Sequence, residues 1–283
     1  MTQFDAIYES IVNTIIKDGY SSGENVRAKY SDGTPATYRS VTGINFTYDN
    51  STSEAPVLTT RYTPYKSAVR EIYWIWLLRS NNVDILTDLG CKYWAEWASK
   101  DEQGNNTIGK AYGYQLAQQC MGFDNQVDYV INELKTNPTS RRILTSIWNV
   151  EDLPEMNLQP CVFLTMWNVL GNRLDLRVIQ RSCDIALGLV SNLCQYAVLH
   201  KLIAHECGLK PGKIHWSIGD AHLYEEHIPT IQQQLSAPEN LIEPRLEIKL
   251  PEPGHLYDFH PNDVTISNYT PSSLPQYKFK IAI

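Results

Sequence analysis

A cysteine and four polar residues of different chemistry lie close together in the middle of the chain. Arg181, Ser182, Asp184 and Asn192 fall within twelve positions, and Cys161 lies twenty positions upstream at the start of an apolar run. A thiol beside a guanidinium suits nucleophilic catalysis, because the positive charge lowers the pKa of the thiol. A strand end that leads into a helix also binds anions, and Arg181 adds a planar fork suited to phosphate. A capped helix with a surface salt bridge explains the segment alone equally well.

A carboxylate occurs in the aromatic segment of residues 65–79, which has the periodicity of a helix. Glu71 precedes Tyr73, Trp74 and Trp76. Carboxylates are rarely buried without a partner or a task, so the position of Glu71 among apolar residues requires an explanation. The alternative is a glutamate on the polar face of the helix. The residues alone leave both readings open.

Two further aromatic groups are candidates for ligand contacts. Trp94, Trp97 and Tyr112 form either the rim of the core or a wall against which a flat ligand stacks, and by themselves they favour the rim. His222 and Tyr224 are two positions apart in a strand pattern, so they share one face. On pattern alone, such a pair is more often a hydrogen-bonded core pair than a recognition surface.

These segments together resemble the folate-dependent thymidylate synthase family. In that family a proline-cysteine pair leads a strand, as Pro160-Cys161 does here, and an Arg-Ser-x-Asp-x-x-Leu-Gly run with a later asparagine follows, as in residues 181–192. The resemblance covers most of the chain in the family's order. Further matches are Thr59-Thr60-Arg61, Glu71 before Trp74, Trp94 and Trp97, Ala111-Tyr112-Gly113, Ser140-Arg141-Arg142, Trp148-Asn149 and Gly219-Asp220-Ala221-His222-Leu223-Tyr224.

The resemblance implies a methyltransferase of nucleotide biosynthesis that converts dUMP to dTMP. Its co-substrate would be 5,10-methylenetetrahydrofolate, the donor of the one-carbon unit and the hydride, and no metal is expected. Cys161 would add to carbon 6 of the pyrimidine, and Arg181 would favour the thiolate. Asn192 would stabilise charge on the ring oxygen at position 4, and Glu71 would act as general acid. Tyr112 would assist loss of the carbon 5 proton.

The resemblance also implies the binding residues. The nucleotide would contact Arg27, Arg141, Arg142, Arg181, Ser182, Asp184, Asn192, His222 and Tyr224. The folate would contact Arg61, Glu71, Trp94, Trp97, Asp184, Gly188 and Ile283. Asp184 would also serve catalysis by holding the pterin ring. The family's Arg-Thr-Gly-Thr-Gly loop is replaced here by residues 27–33, so a solvated arginine is the alternative for Arg27.

Arg141 and Arg142 are adjacent at the start of a predicted strand over residues 143–148. Alternation along a strand sends neighbouring side chains to opposite faces, which separates the two arginines within one subunit. The resemblance implies a twofold dimer with sheets packed back to back, in which both arginines reach the partner's active site. We therefore predict an obligate homodimer.

Several positions depart from the family's pattern. Val190-Ser191 replaces Pro-Phe, Val162 replaces a histidine that often follows the cysteine, and residues 166–168, Met-Trp-Asn, replace a Gln-Phe-Tyr-like run. The polar Ser191 and Asn168 would admit an extra water molecule. Met166 is the first residue of that replaced run.

The departures leave an alternative product open. A dUMP hydroxymethylase adds water instead of hydride to the exocyclic methylene, so water at the site favours it. Trp94 and a hydrophobic C-terminus at Ile283 favour the hydride outcome, and dTMP is the primary prediction. A catalytically idle binding or RNA-regulatory protein is disfavoured, because the cysteine, arginine, aspartate and asparagine are all present.

Periodicity predicts the elements that position these residues. Helices are predicted over residues 2–18, 65–79, 127–134 and from the 181–192 segment to Gly208. Strands are predicted over 40–48, 143–148, 161–169, 173–180 and 214–224, and Gly171-Asn172 joins two of them as a hairpin. The fold class is α+β, a single domain over residues 1–283 with a large mixed or antiparallel sheet flanked by helices.

Composition narrows the class of protein. The 283 residues are 43% hydrophobic and 11% aromatic, enough to bury a full core. A net charge of −7 disfavours a nucleic-acid partner, which usually requires a basic excess. The six cysteines contain no Cys-x-x-Cys pair, and no apolar run reaches the roughly 18 residues of a membrane span. These features and the polar N-terminal residues predict a cytoplasmic protein without a membrane contact.

Overall fold

Ten strands and seven α-helices form the regular structure of the computed structural model, which describes residues 1–237 and 243–282. The strands are β1 (Tyr20–Ser21), β2 (Tyr38–Asp49), β3 (Ser99–Lys100), β4 (Asn106–Thr107), β5 (Leu144–Ser146), β6 (Val162–Leu170), β7 (Arg173–Asp184), β8 (Lys210–Tyr224), β9 (Arg245–Ile248) and β10 (Val264–Ser267). The helices are α1 (Gln3–Asp18), α2 (Tyr65–Ile72), α3 (Val83–Asp88), α4 (Gly113–Leu116), α5 (Gln126–Thr136), α6 (Gly188–Glu206) and α7 (Ile228–Ser236). The predicted fold class is confirmed.

Six of the strands form one sheet in the order β1-β2-β8-β7-β6-β5, and the other four described strands form two small sheets, β3-β4 and β9-β10. β7 and β8 run parallel, whereas the other neighbours in the large sheet are antiparallel. The predicted hairpin is confirmed as β6 and β7, which turn at Gly171 with φ of 65°. The sheet is therefore mixed, and helix α6 makes the crossover between its parallel strands.

The buried face of the central strands shifts by one position part-way along the sheet. In β7 the even positions from 174 to 180 are buried and then Cys183, and in β8 the even positions from 214 to 218 are buried and then 221 and 223. Gly219 lies at this shift, where a Cβ atom would be 2.8 Å from the carbonyl oxygen of Arg181. In the neighbouring β2, Gly43 has φ of 72° at the same level. Glycine therefore permits the close approach that the shift requires.

The shift re-aims the polar side chains at the ends of β7 and β8. Because the side-chain period of a strand is two, a shift of one position exchanges the two faces. Ser182 and Asp184 of β7 come to lie beside Asp220 and His222 of β8, and all four are half-buried. The strand ends thus form one polar surface next to the start of α6.

Helix α6 covers the buried face of the sheet and contacts α2. The Tyr196 ring packs edge-on against Trp216 of β8 at 5.6 Å and against Trp76 at 6.4 Å. His200 Nε2 hydrogen-bonds to the carbonyl oxygen of Leu174 in β7 (2.9 Å). The sheet, α6 and the segment after α2 therefore share one core, and α2 itself packs against α6.

The helix predicted over residues 65–79 is present with a widened second half. α2 ends at Ile72, and residues Tyr73–Leu77 continue as a π-helix. Four consecutive side chains, 74 to 77, are buried there, which a regular amphipathic helix does not achieve. Arg79, with φ of 50°, ends the helical segment.

Helix α1 has the predicted bounds and holds the segment that contains Arg61. Thr2 caps the helix through a capping box with Asp5, a feature worth about 1 kcal/mol. Asp5 also accepts hydrogen bonds from the backbone N–H (2.8 Å) and the hydroxyl (2.6 Å) of Thr59. This contact positions the Thr59-Thr60-Arg61 turn against the body of the protein.

The edge strand β5 is shorter than predicted. It begins at Leu144, so Arg141 and Arg142 precede the strand and are exposed in a bend. The argument that alternation along a strand separates these two arginines is therefore wrong, because strand geometry starts after them.

Among the described residues, no helix has the length and apolar character needed to cross a bilayer.

Candidate active site

Cys161 lies immediately before β6 and next to the guanidinium of Arg181 on β7. The backbone N–H of Arg181 donates to the carbonyl oxygen of Cys161 (2.8 Å), which places the two residues side by side. Arg181 Nη2 lies 3.9 Å from Cys161 Sγ. Its Nε and Nη2 also donate to the carbonyl oxygens of Pro160 (3.0 Å) and Gln159 (2.7 Å). The segment that carries the thiol thus also orients the guanidinium.

The acidity of the Cys161 thiol differs from the sequence-based expectation. Burial raises its pKa, and the charge of Arg181 and a hydrogen bond with Tyr112 lower it only in part. The expectation of a net lowered pKa is therefore wrong, because desolvation of the thiolate outweighs its attraction to the guanidinium. The direction of the Arg181 contribution is the predicted one.

Tyr112 places a phenol beside the thiol. Its hydroxyl accepts a hydrogen bond from the backbone N–H of Cys161 (3.1 Å), and burial raises its pKa well above the usual range. The residue has φ of 48°, a backbone strain that costs roughly 1–3 kcal/mol. The following Gly113 packs so closely on Ser80 that a Cβ atom would lie 2.2 Å from the Ser80 carbonyl oxygen. This packing holds Tyr112 in its strained conformation.

Glu71 is a buried carboxyl group surrounded by neutral donors. Only 6% of its surface is exposed, and the Tyr93 hydroxyl donates to its Oε2. Burial raises its pKa to about 8, although the nearby Trp94 and Gln195 side-chain donors favour the charged form. At neutral pH the carboxyl is therefore protonated, which is the state that a general acid requires.

A directed chain of hydrogen bonds fixes the amide of Asn192. The indole N–H of Trp216 donates to Gln180 Oε1 (2.9 Å), Gln180 Nε2 donates to Asn192 Oδ1 (3.0 Å), and Asn192 Nδ2 donates to Gln195 Oε1 (3.0 Å). Because an indole only donates, every amide in the chain has one orientation. Asn192 keeps one acceptor lone pair and one N–H for another partner, which is the complement of the O4 and N3–H edge of uracil.

The turn between β7 and α6 collects three more predicted residues. Asp184 Oδ1 accepts from the backbone N–H of Ala186 (2.8 Å) and Leu187 (3.3 Å). Arg61 is buried, and its Nη2 donates to the carbonyl oxygen of Ala186. A Cβ atom on Gly188 would lie 3.9 Å from the side chains of both Asp184 and Asn192, so a larger side chain would fill the space between them.

An aromatic wall borders Glu71 and Tyr112. The ring of Trp94 lies 5.8 Å from Trp97, 5.2 Å from Tyr112 and 5.8 Å from Trp74. Trp94 is buried, whereas Trp97 is half-buried. The wall is therefore both rim of the core and a surface next to Glu71, so the two readings of these aromatic residues do not exclude each other.

The end of β8 carries the predicted recognition pair. His222 Nδ1 hydrogen-bonds to Asp220 (2.8 Å), and the rings of His222 and Tyr224 lie 5.5 Å apart. Burial raises the pKa of Tyr224, and the nearby Arg27 charge opposes this shift. Arg27 is itself exposed on the loop between β1 and β2. The structure thus places Arg27 near the polar surface formed by the strand ends.

Some predicted residues do not join this cluster. Arg141 and Arg142 are exposed before the edge strand β5, two strands from β7. Ile283 lies outside the described residues. Arg61, which does join the cluster through Ala186, also contacts Phe279 near the C-terminus, whose ring lies 4.6 Å from the guanidinium carbon.

The departures from the family pattern fall in different places. Ser191 is half-buried in the first turn of α6, beside Asn192, and Val162 is buried next to Cys161. Asn168 pairs with Asp175 near the hairpin turn and is exposed, seven residues and thus roughly 23 Å along β6 from Cys161. The expectation that Asn168 admits water to the site is wrong, because the strand carries it away from the thiol.

Three residues of the site were missed by sequence reasoning. Gln180 continues the buried even positions of β7, so a polar residue on an apolar face was the available signal. Gln195 is one turn after Asn192, among buried apolar residues of α6. Tyr93 precedes Trp94 and had no distinguishing pattern.

Among residues 1–237 and 243–282, no group of three or more His, Cys, Asp or Glu side chains is arranged to hold a metal ion.

A thiol held against a guanidinium beside a mixed sheet is typical of enzymes that use a cysteine nucleophile. The family model described as thymidylate synthase matches residues 6–283. Thymidylate synthase from Fusobacterium nucleatum is 50% identical over 279 residues, 99% of both chains, and thymidylate synthase 1 of Bacillus subtilis is 42% identical over 275 residues, 95% of this chain and 96% of its own length. The chain belongs to the thymidylate synthase family.

A solved structure supports the same assignment. Thermostable thymidylate synthase A from Bacillus subtilis superimposes with a TM-score of 0.89 at 41% sequence identity, over 100% of both chains. The family resemblance inferred from the motifs is therefore confirmed, and so are the predicted fold class and the predicted class of methyltransferase.

Proposed function

We propose that this protein converts dUMP to dTMP by reductive methylation with 5,10-methylenetetrahydrofolate. The observation that carries the proposal is the position of Cys161, 3.9 Å from Arg181 Nη2 and next to the Tyr112 hydroxyl. The relatives named thymidylate synthase support this reaction. They support it over the dUMP hydroxymethylase, whose case is weakened further by the remote position of Asn168.

Cys161 is the proposed nucleophile, which adds as a thiolate to carbon 6 of the pyrimidine. This addition makes carbon 5 nucleophilic by moving electron density to the ring oxygen at position 4. Arg181 stabilises the thiolate and presents its remaining N–H groups to the nucleotide phosphate. Tyr112, whose hydroxyl adjoins Cys161, assists removal of the carbon 5 proton.

Asn192 is the proposed reader of the base. Its remaining N–H donates to O4, and its remaining lone pair accepts from N3–H, so the charge that develops on O4 meets a preorganised donor. Cytosine presents an amino group and an unprotonated N3 at the same edge, which mismatches both groups. The fixed amide orientation supports selection of uracil.

The residues present fit a folate. The Trp94 and Trp97 wall suits a flat ring, the Asp184 carboxylate suits pterin N–H groups, and Gly188 leaves space between Asp184 and Asn192. Arg61 and Ile283 are the proposed contacts at the far end of the ligand. When bound, the folate supplies the one-carbon unit and the hydride. Glu71 holds its proton beside this wall and is the proposed general acid.

The remaining nucleotide contacts are assigned to the strand ends and to a second subunit. Ser182, His222 and Tyr224 are proposed to contact the ribose and phosphate, with Arg27 closing over them from its loop. Arg141 and Arg142 are proposed to serve the partner's site in a homodimer, which their exposure before β5 supports. A single catalytic domain spanning residues 1–283 and a cytoplasmic location stay predictions.

The experiment that tests the function separates the two products. Purified protein is incubated with dUMP and 5,10-methylenetetrahydrofolate, and the absorbance of dihydrofolate and the mass of the nucleotide are recorded together. We expect dTMP and dihydrofolate in equal amounts. Hydroxymethyl-dUMP without dihydrofolate would establish the alternative, and an unchanged nucleotide would refute both.

A further inference from the structure

Gln195 joins two proposed functional residues that lie on different elements. It is 2% exposed, and its Oε1 accepts a hydrogen bond from Asn192 Nδ2 at 3.0 Å. Since an amide has one acceptor and one donor end, this contact turns its Nε2 to the opposite side. Glu71 is close enough for the Gln195 side chain to lower the pKa of its carboxyl, against the larger effect of burial.

The donor end of Gln195 has no partner of its own. Its Nε2 is buried and makes no hydrogen bond of normal geometry, to Glu71 or to any other group, in the described part of the chain. A buried amide N–H without a partner costs roughly 1–3 kcal/mol, so such a position is retained for a reason other than stability. Hydrogen bonding to a carboxyl that changes its protonation state is such a reason.

We propose that Gln195 is a positioning residue with two functions: its Oε1 locks the amide orientation of Asn192, and its buried, unpartnered Nε2 serves as a donor for the Glu71 carboxyl. The proposal rests on the roles proposed above for Asn192 and Glu71. Gln195 is 2% exposed, so it acts through these two neighbours and not through a surface of its own. Base recognition and proton donation thereby depend on one buried amide.

Two other residues each contact only one of the two neighbours of Gln195, and they serve as controls. Gln180 bonds to Asn192 and Trp216, so it restrains the same amide from the sheet side. Tyr93 donates to Glu71 Oε2 without a contact to Asn192 among the described hydrogen bonds. Other titratable groups that act on Glu71 or are perturbed by it are Cys91, Tyr112, Cys161 and Tyr196.

The test measures both functions in the full-length protein without relying on turnover. Base discrimination is the ratio of the dissociation constants for dCMP and dUMP. The Glu71 titration is followed by 13C NMR of protein labelled at glutamate Cδ, with Glu71→Gln for assignment. The variants are Gln195→Met, which keeps the length and volume of the side chain, Gln180→Met and Tyr93→Phe.

Gln195→Met is expected to change both quantities. Base discrimination should fall about 10-fold, because Asn192 loses one of its two restraints. The pKa of Glu71 should rise by about one unit above its wild-type value, because the carboxylate loses a donor. Gln180→Met should lower discrimination only, and Tyr93→Phe should raise the pKa of Glu71 only.

The proposal is overturned if Gln195→Met leaves either quantity at its wild-type value. If that variant does not fold, as judged by circular dichroism, Gln195→Asn replaces it, since its shorter amide cannot reach both neighbours. Failure of the proposed function is recognised separately. In that case the wild-type protein forms no dTMP, while the Glu71 titration still reports on Gln195.

Discussion

Glu71 and Glu206 are buried to the same extent, with 6% and 5% of their surfaces exposed, but their surroundings differ. Glu206, at the end of α6, accepts from Lys135 Nζ (2.5 Å) and from the backbone N–H of Gly254 (2.9 and 3.0 Å). Glu71 has only neutral donors, and burial raises its pKa to about 8. The Lys135 cation keeps the Glu206 carboxyl ionised, so Glu206 acts as a structural anchor. Glu71 has no cation among its described contacts, so its carboxyl stays protonated and can donate a proton.

The comparison separates buried polar groups that stabilise the fold, around Glu206, from buried polar groups suited to catalysis, around Glu71. The anchor at Glu206 ties α6 to α5 and to the Gly254 loop, and it uses both carboxylate oxygens. The Glu71 region retains raised pKa values at Cys161 and Tyr112, a strained Tyr112 backbone and a buried Gln195 donor. Such features are typical of functional sites, which sacrifice stability for reactivity.

The largest expected effect is on the pH dependence of stability. The pKa of Glu71 is raised from 4.5 to about 8 on folding, so its contribution is fully present below pH 4.5 and is lost as pH rises toward 8. Between pH 5 and 8, the free energy of unfolding of the wild type should fall by about 3 to 4 kcal/mol more than that of Glu71→Gln. Urea denaturation at both pH values checks this, and parallel losses would contradict it.

The second expected effect is on catalysis. Glu71→Gln keeps the shape of the side chain but has no acidic proton, so kcat/KM for dTMP formation should fall about 100-fold. Glu206→Gln should keep the wild-type kcat, because Glu206 lies at the other end of α6. Steady-state rates of both variants measure this difference. Equal losses of activity in the two variants would contradict it.

The third effect concerns the anchor. Glu206→Gln loses the ion pair with Lys135 and weakens the hydrogen bonds to Gly254, which should cost about 2 kcal/mol of stability. Lys135 is 38% exposed and turns to water, which limits the cost. Thermal denaturation measures this, and a stability equal to that of the wild type would show that Glu206 is no anchor.

The smallest effect is on the choice of base. Asn192→Asp presents a protonated or ionised carboxyl where the amide read uracil, and preference should shift about 10-fold from dUMP toward dCMP. Competition between the two nucleotides provides the measurement. An unchanged preference for dUMP would remove Asn192 as the reader of the base.

Local patterns predicted the elements that carry the site. Period-two runs on both sides of Gly171-Asn172 gave the β6–β7 hairpin, and this hairpin alone brings Cys161 beside Arg181. The apolar periodicities of α1 and α6 are equally local. Where the chain folds on its immediate neighbours, residue type and spacing therefore suffice.

Contacts between elements far apart in the sequence could not be predicted from local patterns. The Trp216-Gln180-Asn192-Gln195 chain joins β8, β7 and α6, and no single segment encodes their relative positions. The net pKa of Cys161 depends on burial by the whole fold. The close approach of Gly219 to the Arg181 carbonyl oxygen depends on the pairing of β8 with β7, which the sequence around Gly219 does not show.

The most direct test of the account uses a nucleotide whose carbon 5 proton is replaced by fluorine. Since fluorine cannot leave as a proton does, the covalent adduct with the nucleophile persists. Protein incubated with 5-fluoro-dUMP and 5,10-methylenetetrahydrofolate is digested and analysed by mass spectrometry. We predict the added mass on the peptide that contains Cys161 and its loss in Cys161→Ser. Label on Cys183 instead, or no label on either peptide, would contradict the assignment of Cys161 as the nucleophile.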